Sequence, residues 1–119
     1  MKSVITVLGI GIALSLTIGT RSAAAQAPDD GAALYKQHCR TCHGATGTPT
    51  QRMVGLYPTL KSFTDTSTLA GVSADSIVAI LKKGMGKDMK SFSDKLTPDQ
   101  MAAVARYVKT LGHSAGNSQ

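Results

Sequence analysis

The stretch Cys39-Arg40-Thr41-Cys42-His43 decides how the rest of this 119-residue chain is read. Two thiols three positions apart on one turn can each add across one of the two vinyl groups on neighbouring pyrroles of a single porphyrin, and the histidine that follows then falls beneath the iron. The motif predicts one haem c per chain, attached covalently through two thioethers from Cys39 and Cys42, with the His43 imidazole as proximal ligand to iron. One axial face of the iron is left for another part of the chain to cover.

Two other chemistries use paired cysteines. A thioredoxin-like redox site needs a βαβ setting, and no Val/Ile-rich alternating strands flank Cys39 and Cys42. A structural zinc site needs about four Cys or His ligands. Beyond Cys39, Cys42 and His43 the chain offers only His38, adjacent to Cys39, and His113, in a polar tail. Haem attachment is the reading that uses every cysteine.

Residues 1–25 read as a cleaved secretory signal peptide. Lys2 supplies the positive start, Val4 to Ile18 an apolar run, and Ala23-Ala24-Ala25 a small-residue cleavage site before Gln26. The run is shorter than the about 18 to 20 residues a spanning helix needs, so no membrane span is expected after cleavage. Export implies a periplasmic location. It also implies a disulfide-permissive compartment, yet both cysteines are taken by the thioethers. Residues 26–119 then form one small domain, frayed from about residue 113, whose apolar core is marginal by itself. A covalently held porphyrin adds a flat apolar surface to pack against and cross-links the chain.

The whole chain carries a formal charge of +6, and its seven acidic residues are all Asp. A basic surface suits nucleic acid, but export, few arginines and no basic run with interleaved aromatics exclude that partner class. Redox proteins with an acidic docking patch are expected instead.

The fold predicted is all-α, three to four helices with loops wrapped around the haem. Asp29 or Asp30 is placed to cap a first helix from Gly31 that leads into the motif. Small residues at Gly31 and Ala32 permit a second helix to cross closely. Gly44 to Leu60, with Gly44, Gly47, Pro49, Gly55 and Pro58, reads as an ordered Ω-type loop. Its apolar centre, Leu56 to Leu60, is the candidate cover for the His43 side. A carbonyl near Pro58 is a candidate acceptor for His43 Nδ1–H, although a plain turn proline reads equally well. Ser73 caps a helix over Ala74 to Lys83 with Ile77, Ile80 and Leu81 on one face, stopped by Gly84. Thr97-Pro98-Asp99-Gln100 is a capping box with proline at the first helical position. Met101, Val104, Val108 and Leu111 then recur on one apolar face, with Gly112 as the expected stop.

Between those helices, Gly84 to Leu96 has no helical apolar face but contains Met85, Met89 and Phe92. A methionine in a small exported domain is usually core filler. Here an open iron position calls for a soft neutral donor, and thioether sulfur favours ferrous over ferric iron. A His/Met pair therefore raises the reduction potential and suits electron transfer.

From about Gly31 to Leu111 the chain resembles the small single-haem class I bacterial cytochromes c: helix, C-x-x-C-H-G, Gly/Pro loop, Gly-stopped helix, Met-x-x-Phe loop, and capped terminal helix with Tyr107-Val108. The resemblance implies that Met89, three residues before Phe92, is the axial methionine, and that Met85 is not. It also implies that Tyr107 packs against Gly31 and Ala32. The family often has proline directly after this methionine, where this chain has Lys90. Gly55-Leu56-Tyr57-Pro58 is similar to a stretch in cytochrome subunits of bacterial membrane dehydrogenases.

These features predict an exported electron carrier with no enzyme activity of its own. One alternative is the same chemistry in a subunit docked in a larger dehydrogenase or oxidase. Another is a haem peroxidase or gas-binding protein, which would need an open sixth site and a distal acid/base that His38 and His113 are poorly placed to supply.

Overall fold

Five helices account for the regular structure of residues 30–114, the part of the chain that the computed structural model describes; residues 1–29, which include the expected leader, and the last five residues lie outside it. The first is α1, Gly31–His38, capped by Asp30, whose carboxylate accepts from the N–H groups of Ala32 at 3.0 Å and Ala33 at 3.3 Å. Cys39, at φ −115°, breaks the helix before a single further turn, α2, Arg40–His43.

The loop expected from Gly44 to Leu60 contains a short helix, α3, Gln51–Leu56. Thr50 starts it by accepting from Met53 N–H at 3.3 Å. Gly55 and Pro58 obscure this element in the sequence, and the threonine cap outweighs them over one and a half turns. With α2 split from α1, the count is five rather than three to four. No extended strand occurs among the described residues, apart from an isolated bridge between Met85 and Met89.

Helix α4 is Ala74–Lys83, capped by Ser73, and α5 is Pro98–Ser114. The capping box forms as the spacing predicts: Gln100 N–H donates to Thr97 Oγ1 at 3.2 Å and Thr97 N–H donates to Gln100 Oε1 at 3.0 Å. Gly112 does not stop α5. A Cβ there would lie 2.9 Å from Leu69 Cδ1, so this glycine admits a neighbouring side chain while the helix continues to Ser114.

The core lies where α5 packs against both α1 and α4. Met101, Val104 and Val108 of α5 are buried with Ile77 and Leu81 of α4, Leu96, and Tyr35 of α1; Leu111 and Ile80 are half-buried. Gly31 makes the α1–α5 crossing possible, because any Cβ there would collide with the Ala103 carbonyl and stand 3.1 Å from Tyr107 Cβ. The Tyr35 and Tyr107 rings, 5.3 Å apart and tilted by 58°, close the same crossing.

Candidate functional site

Cys39, Cys42 and His43 sit on the single turn that follows α1, so the packing of α1 on α5 sets their position. Cys39 is buried in the main core and Cys42 is exposed. Burial pushes the Cys39 thiol up to about 11, aided by nearby Cys42. The His43 ring is desolvated, which lowers its pKa and leaves the imidazole neutral with a lone pair to offer. It stacks on Phe63, with centroids 4.6 Å apart and planes 15° from parallel.

His43 Nδ1 is buried without a hydrogen-bond partner among the described residues. Pro58, whose neighbourhood was a candidate for that role, is exposed. The restraint comes through the backbone instead. The buried Tyr35 hydroxyl donates to the Gly44 carbonyl at 2.8 Å and lies 3.4 Å from that of His43. Desolvation raises the phenol pKa far above its usual value, so it remains a donor. Gly44 adopts φ 80°, ψ 159°, a glycine-only region, and a Cβ there would collide with the Thr48 carbonyl. Beyond it, Phe63 N–H donates to the Gly47 carbonyl at 2.8 Å, which holds the ring that stacks on His43.

Met89 is half-buried and packs against the core, together with Phe92, whereas Met85 is 57% exposed. Their backbones form a reciprocal pair, Met85 N–H to Met89 O at 2.8 Å and Met89 N–H to Met85 O at 3.3 Å, with Gly86 at φ 62° in the turn. Lys90 provides none of the stiffness of a proline, and this hairpin supplies a restraint in its place. Val54 and Leu56 of α3 are exposed apolar side chains.

Residues 26–108 match the family model of cytochrome c oxidase, cbb3-type, subunit III. The chain belongs to this family of c-type cytochromes. The cytochrome is also 30% identical to cytochrome c6 of a Nostoc species over 108 residues, covering 91% of this chain and 92% of that protein. It is 33% identical over 98 residues to the cbb3-type cytochrome c oxidase subunit FixP of Azorhizobium caulinodans, covering 77% of this chain but only 32% of FixP. A 51-residue stretch is 49% identical to dihydro-heme d1 dehydrogenase of Pseudomonas aeruginosa, 9% of that protein. The chain thus spans at most about a third of these two longer relatives. Among solved structures, the KustC0563 c-type cytochrome superposes with a TM-score of 0.62 at 36% identity, covering 69% of this chain and 96% of that one.

A covalent haem c with its iron is the cofactor of this class of cytochromes, and the residues present fit it. Two cysteines share one turn with a neutral, desolvated imidazole, a half-buried thioether lies elsewhere on the same core, and exposed apolar side chains remain on α3. Among the described residues no three His, Cys, Asp or Glu cluster as a metal site. Sequence reasoning missed Phe63 as the partner of His43 and Tyr35 as the donor to Gly44. Phe63 is one of only two phenylalanines in the chain, but nothing local marks it, because its role arises from a loop folding back through Gly47.

Proposed function

We propose that this cytochrome is an exported electron carrier, with Cys39 and Cys42 as the thioether residues and His43 and Met89 as axial ligands to iron. In this reading residues 1–25 are a cleaved leader and 26–119 the mature periplasmic domain. The observation that carries it is the C-x-x-C-H turn with a desolvated, neutral His43 stacked against Phe63. Haem, when bound, supplies a one-electron couple at its iron. His43 offers its lone pair without first losing a proton, since burial disfavours the charged imidazole. Met89 offers a neutral sulfur that favours ferrous iron, and the core behind both residues excludes water. With His43 and Met89 both holding the iron, no position on it would be left for a substrate, and the chain would act as a carrier without catalysis of its own.

Lys82, Lys83, Lys87, Lys90 and Lys95 are all exposed, and only Asp88 and Asp94 fall in the same window. They suit a redox partner with an acidic patch, whose complementary charge speeds encounter. Mass spectrometry of the exported protein tests the assignment: the mature mass should carry one haem and lack the leader. An unmodified mass would remove the basis of the reading.

The matches to FixP and to subunit III favour a second arrangement, in which the same domain passes electrons while docked in a larger oxidase or dehydrogenase. Among the described residues no helix is long and apolar enough to cross a membrane. Recovery as a free monomer, rather than with a complex, distinguishes the two.

A further inference from the structure

The segment that carries Met89 is tied to the end of α4 on both of its flanks. Upstream, Gly84 turns the chain at φ 79°, and a Cβ at this position would lie 2.5 Å from the Met89 carbonyl. Only glycine lets the helix end and the methionine backbone come this close. Downstream, Phe92 N–H donates to the Leu81 carbonyl at 2.8 Å. The hydroxyls of Ser91 and Ser93 both donate to the Lys82 carbonyl, at 2.6 and 3.0 Å, and Ser93 N–H donates to Ser91 Oγ at 3.2 Å. The last carbonyls of a helix have no partner within it. Here two of them are capped by residues two to four positions beyond Met89, and the Lys82 oxygen uses both lone pairs.

We infer that Ser91 and Ser93 are positioning residues that hold the Met89 hairpin on the C-terminus of α4 and thereby keep the sixth ligand presented. The inference rests on Met89 being that ligand. The Met85–Met89 pair closes the hairpin on itself but does not attach it to anything else. Beyond the packing of Met89 and Phe92 on the core, the hydrogen-bonded attachment is the serine pair with Phe92 N–H. Of these, only the serines can be removed by a side-chain change that leaves the backbone intact. Both hydroxyls are exposed, so each bond is worth a modest net amount, and losing both should raise the population of the opened hairpin roughly tenfold.

The experiment is the rate of cyanide binding to the ferric holoprotein, since an external ligand enters only after the methionine leaves. Ser91→Ala with Ser93→Ala should bind cyanide roughly tenfold faster than the parent, while Ser91→Thr with Ser93→Thr, which keeps both hydroxyls, should stay close to it. A fall in melting temperature with an unchanged cyanide rate would make the serines stability residues only and overturn the inference. Met89→Ala serves as the control and should bind cyanide without the opening step. If its rate equals that of the parent, the ligand assignment fails, and the positioning role fails with it.

Discussion

Gly44 ends α2 at φ 80°, ψ 159°, and Gly84 ends α4 at φ 79°, ψ 178°, each donating its N–H four residues back, to Arg40 and Ile80. In both places the following chain turns across the helix end, toward Thr48 in one case and Met89 in the other. The two sides then diverge. On the histidine side the chain runs nearly twenty residues and returns through Gly47 and Phe63, held from beneath by the buried Tyr35 hydroxyl. On the methionine side it closes within five residues, as the Met85–Met89 pair, and is held by exposed serine hydroxyls. A buried donor to a buried carbonyl is costly to remove, whereas exposed bonds compete with water. The His43 side is therefore built as a fixed wall, and the Met89 side as a restrained but openable one.

The sharpest way to break this contrast is at the proposed ligand. Met89→Ala should abolish the weak sulfur-to-ferric-iron band at the red end of the spectrum. It should also lower the potential by on the order of 0.1 V, a fraction of the about 0.8 V that axial ligands span. Met85→Ala should leave both nearly intact, and the opposite pattern in spectra and redox titrations would exchange the two methionines. On the fixed side, Gly44→Ala should cost about 3 kcal/mol or more in denaturant unfolding of the holoprotein, combining a glycine-only conformation with a backbone collision. A loss below about 1 kcal/mol would mean that the wall yields.

Tyr35→Phe removes only the hydroxyl and should cost about 1 to 3 kcal/mol by the same measurement, the penalty for leaving the Gly44 carbonyl buried and unpaired. An unchanged midpoint would mean that another donor reaches this oxygen, and the two sides would then differ less than their geometry suggests. The smallest effect concerns the surface around the methionine loop. Lys87→Glu or Lys90→Glu should slow electron transfer with an acidic partner severalfold at low salt and leave the potential unchanged. The difference should fade once screening shortens to about 8 to 10 Å. Stopped-flow rates indifferent to salt and to both substitutions would leave these lysines as solubilising residues.

Much of this was legible because it is local. The C-x-x-C-H spacing, the Ser73 cap, the Thr97–Gln100 box and the Met101-Val104-Val108 stripe each declare themselves within a few residues, since caps and helix faces depend on neighbours one to four positions away. The close crossing at Gly31 was also readable from the small residues Gly31 and Ala32, with Tyr107 as the partner that the family resemblance implied. Less legible were features whose partners are distant in sequence. Gly112 looks like a stop until Leu69 is found against it, and α3 hides in a glycine- and proline-rich stretch because its threonine cap is its only local signal. Pro58 was a reasonable guess for restraining His43, yet Phe63 and the Tyr35 hydroxyl reach that site through a loop path that no periodicity encodes. Residue order thus determined the attachment chemistry, the helices and the charge of the methionine loop. Tertiary packing alone decided which ring stacks on His43, which hydroxyl fixes its backbone and what tethers the Met89 hairpin, because each of those contacts exists only once two separate segments have folded onto the same helix ends.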